Sequence, residues 1–109
     1  MASNHWIEYL EKSMNPVYLV GHITVKDAEK WQSYRNQVPA TLLPWAAELV
    51  FRGQKIVTLA GEHSSADIVV IRFPTEGALN AWHTSPAYQV LVPLRNEAAD
   101  VVLIAYRAT

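Results

Sequence analysis

The chain contains no cysteine. Disulfides, thiolate nucleophiles and cysteine-ligated metals are therefore excluded, and the absence fits a cytoplasmic protein. Glycine is scarce, with four residues in 109, and none sits in a phosphate-cradling loop, a dinucleotide fingerprint or a nucleophile elbow. Neither sign of charge prevails: nine Lys and Arg stand against ten Asp and Glu, a net charge of −1. The basic residues are scattered, so the electrostatic footprint of a nucleic-acid-binding protein is missing. No hydrophobic run is long. Val101-Val102-Leu103-Ile104-Ala105 is far too short to span a bilayer, and the N-terminus shows no basic flank followed by an apolar core. A soluble, intracellular chain is expected. His22, His63 and His83 fall on separate elements without the paired spacing of a metal site, so no metal is expected.

What the chain has in plenty is apolar surface: half of its residues are hydrophobic. A single domain of this length buries about 65% of its unfolded surface, and the apolar excess of so small a domain is commonly buried in a homo-oligomer. Residues 1–15 stand apart as an N-terminal arm. Trp6, Ile7, Tyr9, Leu10 and Met14 make a rough apolar stripe, read either as a short amphipathic helix packed on the body or a partner subunit, or as a disordered leader. Residues 16–109 form the domain proper.

Pro16 to Lys26 alternates, with Val17, Leu19, Gly21, Ile23 and Val25 on one face and Tyr18, Val20, His22, Thr24 and Lys26 on the other, which predicts a strand. Asp27 suits the N-cap of a helix whose face is Trp31, Tyr34, Val38, Leu42 and Trp45. Pro39 and Pro44 should split or kink it. Leu49 to Arg52 and Lys55 to Ala60 read as a second strand with a bulge at Gly53-Gln54. The β-branched run from Ala66 to Phe73 predicts a third strand. A short helix follows over Thr75 to His83. Ser85-Pro86 then starts another bearing Tyr88, Leu91, Val92 and Arg95, distorted by Pro93. Asp100 to Arg107 is the last strand.

Strand, helix, strand, strand, helix, strand describes two split β-α-β units, an α+β ferredoxin-like sandwich with a four-stranded antiparallel sheet and its helices on one side. The other side of that sheet would carry Val20, Val50, Ile56, Val70 and Val102 or Ile104, too apolar to face water. A second copy of the chain laid over it would close a dimeric α/β barrel.

Several short motifs in order carry a resemblance over nearly all of positions 16–107. They are Val25-Lys26-Asp27, Tyr34, Val38-Pro39-Ala40-Thr41, Arg52-Gly53, Phe73-Pro74, Ala81-Trp82, Ser85-Pro86-Ala87-Tyr88-Gln89, Arg95 and the final aliphatic strand. In these the chain resembles the family called domain of unknown function 1330, within the dimeric α/β-barrel superfamily. Two departures stand out: Ala46-Ala47 replaces a glycine pair usual in the family, and Gln54 replaces a glycine that often follows Arg-Gly. Both changes stiffen a turn. The resemblance implies a homodimer with a cleft in each subunit between sheet and helices. It implies no agreed activity.

The candidate catalytic residues are His22, Arg72 and Tyr34. His22 shares its face with Tyr18 and Thr24 and would move a proton near neutral pH. Arg72 interrupts the apolar surface of Ile68 and Val70, where its planar fork could hold a carboxylate or enolate; an inter-subunit ion pair is the competing account. Tyr34 offers a hydroxyl to a pocket. Tyr18, Arg52, Trp82, Tyr88 and Arg95 are candidate substrate contacts, although core packing explains Trp82 and the coming bulge explains Arg52. The reading that follows is a cofactor-independent enzyme of isomerase, cyclase, lyase or oxygenase type acting on a small organic metabolite. The alternative is a non-catalytic homodimeric ligand-binding or accessory protein. A haem-linked oxidoreductase would rest on His83 alone.

Overall fold

The computed structural model describes residues 15–109. The N-terminal arm lies outside the described residues except for Asn15. The alternation of the first segment makes β1 (Val17–Val25), with Val17, Leu19, Gly21 and Ile23 buried and their neighbours half-covered. Asp27 then caps α1 (Ala28–Leu42), its carboxylate accepting from the Lys30 amide at 3.1 Å, which satisfies one of the free amides of a helix start. Tyr34, Val38, Thr41 and Leu42 form the buried stripe of α1.

Of the two prolines expected to split or kink this helix, only Pro44 ends it. Pro39 lies inside α1 without ending it, because both Pro39 and Arg35, whose carbonyl loses its amide partner, are on the exposed side, where solvent takes up the bond. The stop comes at Pro44, in a 3-10 turn over Leu43–Trp45. Ala46 follows in the left-handed region with φ 53°, where a glycine would be unstrained.

β2 (Glu48–Gln54) and β3 (Asp67–Phe73) pair antiparallel. Two expectations change here. The bulge falls between Leu49 and Phe51 rather than at Gly53-Gln54, and Lys55 to Ala60 is not strand. Pairing stops at Asp67, where β3 begins: the Lys55 amide reaches the Ala66 carbonyl at 2.7 Å, and beyond that rung the chain opens into a loop. Ile56 and Leu59 there are 95% and 92% exposed, so Ile56 leaves the sheet face assigned to it.

α2 (Glu76–Thr84) is capped by Thr75, and α3 (Pro86–Gln89) by Ser85, whose hydroxyl accepts from the Tyr88 amide. The one distorted helix expected around Pro93 is instead two, α3 and α4 (Val92–Ala98). Pro93 has no amide hydrogen to continue a helix from α3 but fits the first turn of a new one. β4 (Ala99–Arg107) closes the chain.

The sheet order is β2-β3-β1-β4, all neighbours antiparallel. This is the ferredoxin-like α+β fold. One face, bearing Val17, Leu19, Ile71 and Phe73, packs on Tyr34, Val38 and Leu42 of α1, on Leu79 and Trp82 of α2, and on Tyr88 and Leu91. Phe73, Trp82 and Tyr88 are the largest fully buried side chains, each contributing about 1.5–3 kcal/mol by its removal from water. The register sets the opposite face: Tyr18 is level with Arg72 and Tyr106, Val20 with Val70 and Ile104, His22 with Ile68 and Val102. Among the described residues no helix is long and apolar enough to cross a membrane.

Candidate functional site

A cavity of about 330 Å³ opens between α1 and the helix-facing side of the sheet. Its floor is Leu19 and Ile23 of β1, Val69 and Ile71 of β3, and Val101 and Leu103 of β4. Gly21 gives that floor its depth. A β-carbon there would stand 2.8 Å from Val69 Cγ1 and 3.2 Å from Leu103 Cδ2, so its absence lets the two side chains settle onto the strand rather than fill the space above it. Trp31, Tyr34, Val38, Trp82 and Tyr88 form the walls. The rings are held together: Trp31 stacks on Tyr34 with centroids 5.2 Å apart, and Trp82 lies 4.1 Å from Tyr88. Trp82 is further fixed by its Nε1 donating to Thr41 Oγ1 at 2.9 Å.

One wall carries a polar chain. Arg95 Nη1 donates to the Tyr88 hydroxyl at 3.0 Å, and that hydroxyl lies 2.9 Å from the Tyr34 hydroxyl. If Tyr88 passes its own proton to the Tyr34 oxygen, the Tyr34 proton is left for the cavity. Burial above all, then the neighbouring Tyr88, pushes Tyr34 well above the ordinary tyrosine range, with Arg95 and Arg52 acting weakly in the other direction. Tyr34 is therefore a hydrogen-bond donor at any working pH, not a base. Behind the chain, Arg95 Nε is buried without a partner among the described residues.

Arg35, Arg52, Gln54 and Asp67 complete the lining. The bulge aims Arg52. Leu49 pairs with Ile71 on the helix-facing side, the extra residue shifts the alternation, and Arg52 pairs with Val69 on that same side. Without the bulge Arg52 would point to the opposite face. Partial burial, then the adjacent Arg35, lowers the pKa of Arg52, while Tyr34 favours its charge.

Of the residues singled out from sequence, the structure brings together Tyr34, Arg52, Trp82 and Tyr88, with Arg95 behind them. It separates them from His22, Arg72 and Tyr18. Strand alternation puts those three on the other face of the sheet, so the expectation that His22, Arg72 and Tyr34 share one cavity is corrected. His22 and Arg72 are also four register positions apart, about 13 Å along the strands. His22 instead meets His63: Nδ1 and Nε2 are 3.3 Å apart and the rings are edge to face at 69°. The loop is tied there by Lys55, whose ammonium donates to the His63 carbonyl at 2.7 Å. His83 lies in the last turn of α2, exposed, beside the rings of Trp82 and Tyr88.

The residues that sequence reasoning missed are Arg35, Gln54, Asp67 and Gly21. Asp67 had a visible signal as the single charge opening a β-branched run. Gln54 was visible only as a departure at a turn, and Arg35 had no signal, because its place depends on the cleft.

The profile of the family described as Domain of unknown function (DUF1330) matches residues 16–108. The chain belongs to this family. Among solved structures, this DUF1330 member is similar to a protein of unknown function from Rhodopseudomonas palustris, at 15% identity and a TM-score of 0.78, covering 100% of this chain and 95% of that one. It is similar to a dimeric ferredoxin-like protein of unknown function from Jannaschia sp. CCS1, at 9% identity and 0.68, covering 86% and 100%. It is also similar to SnoaB, a cofactor-independent oxygenase from Streptomyces nogalater, at 11% identity and 0.65, covering 87% and 94%. At these identities the likeness is one of fold. No protein with a curated description matches the sequence.

Proposed function

We propose that this DUF1330 protein is a homodimer whose cleft binds a small organic molecule and acts on it without a cofactor. The carrying observation is the hydroxyl chain Arg95–Tyr88–Tyr34 set into the wall of an otherwise apolar cavity. A buried phenol that keeps its proton is suited to stabilise negative charge developing on a substrate oxygen, and the guanidinium behind it polarises that donor. Among the described residues lining the cavity, Asp67 is the carboxylate able to accept a proton. The chemistry supported is abstraction of a proton from carbon next to a carbonyl, with Asp67 as base and Tyr34 holding the enolate oxygen. Return of the proton elsewhere would make the enzyme an isomerase. The fold likeness to a cofactor-independent oxygenase adds reaction of the enolate with dioxygen as a further outcome.

The homodimer is supported by the apolar outer face of the sheet, where Phe51, Val102 and Tyr106 are each more than half exposed, and by the dimeric neighbour of like fold. A second copy would cover that face and leave the cleft of each subunit open on its other side.

The test is a thermal-shift screen of small aromatic hydroxy- and oxo-compounds, since a ligand of the folded state raises its melting temperature. Hits are then followed for turnover and oxygen uptake with chelator present and no cofactor added. Tyr34→Phe and Asp67→Asn that keep affinity but lose turnover would support an enzyme. Ligands bound without turnover by the wild type would leave a binding protein.

A further inference from the structure

Two guanidinium groups, Arg35 and Arg52, line the same cavity, and Arg35 lies close enough to disfavour the charge of Arg52. Among the described residues the ion pairs are Lys26 with Asp100, Lys30 with Glu97 and Arg107 with Glu76. Neither Arg35 nor Arg52 enters one. Like charges sharing one cavity repel, and here the bulge in β2 turns one of them, Arg52, toward the cleft. Asp67 lines the cavity too, two positions along β3 from Val69, the partner of Arg52, and balances one of the two positive charges. The charge excess at this edge of the cleft is positive.

We infer that the ligand of the cleft is a compact aromatic acid, its carboxylate held between Arg35 and Arg52 and its ring between the aromatic walls. The planar body follows from the stacked Trp31 and Tyr34 on the wall, which favour flat apolar surface. The size follows from the volume, at the small end of the ligand-pocket range. The charge follows from the fork geometry of arginine, which suits a carboxylate better than a neutral acceptor. This inference rests on the cavity being the ligand site, as proposed above, and extends it to a substrate class. It also assigns the two arginines a division of labour with Tyr34: they hold the acid, and the phenol faces the reacting oxygen.

The experiment compares 2-naphthoate with 2-naphthamide, nearly identical in shape and differing in charge, by calorimetric titration at low salt. The acid should bind about tenfold tighter than the amide, as expected for a partly solvated charge-assisted contact. In the double variant Arg35→Gln, Arg52→Gln the acid should fall to the level of the amide, with the affinity of the amide itself unchanged. That unchanged affinity shows that the cavity still stands. The preference of the wild type should also shrink between 0.1 and 1 M salt, as the screening length contracts from about 10 to about 3 Å. Equal binding of acid and amide, or a preference that survives the double variant, would overturn the acid assignment and leave the cavity reading intact. Binding of neither probe would overturn both.

Discussion

On the helix-facing side of the sheet the large side chains of β1 and the end of β3 are covered by helices, whereas the other side presents apolar residues to solvent. Val17, Leu19, Ile71 and Phe73 are buried to within 7% exposure on the first side. On the second, Val102 and Tyr106 are 55% and 52% exposed and Phe51 is 53% exposed. Hydrophobic character alone does not tell the faces apart, since both are rich in aliphatic residues. What separates them is which face the chain covers for itself. The difference teaches that one face supports the folding of the protomer while the other is suited to association, and that the cleft belongs to the first.

Substitutions on the two faces should therefore fail in different ways, and the largest effect is expected on the covered one. Trp82 is 2% exposed, packs against Phe73 and Tyr88, and donates to Thr41. Trp82→Ala should lower unfolding free energy by about 3–5 kcal/mol, read from the denaturant midpoint. A loss below about 1 kcal/mol would mean that the cavity collapses without cost and that this wall is not rigid.

On the bare face, Phe51→Asp and Ile104→Asp should convert a dimer to a monomer that keeps its helical circular dichroism. Sedimentation velocity separates the outcomes. A wild type that sediments as a monomer, or variants that stay dimeric, would remove the second copy from this face and with it the contrast between association and folding.

How much of this was legible in the sequence follows from the range of the signals. Alternation from Val17 to Val25, the caps Asp27, Thr75 and Ser85, and the β-branched run before Phe73 are local, and each landed where expected. The ferredoxin-like order of elements followed from them. The bulge was misplaced by three to four residues because bulge position is decided by the partner strand, not by the glycine nearby. That one shift is what turns Arg52, a candidate substrate contact that the expected bulge would have explained structurally, toward the cleft. His22 was assigned to the correct face of β1, but parity cannot say which face holds the larger cavity, and the structure places that cavity on the side of Tyr34. Proximity of His22 to His63, across 41 positions of sequence, had no local signal at all.

A smaller effect tests how closely the covered face is built. Tyr34 is protonated more firmly in the folded protein than in the unfolded chain, where its pKa is about 10. Above that pH the unfolded state loses its proton first and the folded state binds more protons, so stability falls as pH rises beyond about 10. Tyr34→Phe should cost about 1 kcal/mol at neutral pH, because Tyr88 keeps its bond from Arg95. It should also flatten the alkaline decline of the urea midpoint between pH 9 and 11. An unchanged decline would place the alkaline sensitivity in other groups.

The smallest expected effect has the opposite sign. Ala46 adopts φ 53° and ψ 34° at the end of the 3-10 turn and is exposed, so its methyl group has little burial to lose. A left-handed conformation costs a non-glycine residue about 1–2 kcal/mol, while glycine pays about 0.5–1 kcal/mol more in chain entropy on folding. Ala46→Gly should therefore stabilise the protein by up to about 1.5 kcal/mol, a rise of several degrees in melting temperature for a domain of this size. It should leave the 2-naphthoate affinity untouched if the turn merely connects α1 to β2. A more stable variant with weakened acid binding would show instead that the strained turn sets the position of β2, and through its bulge the aim of Arg52, which would tie the covered face and the charge of its cleft to a single residue.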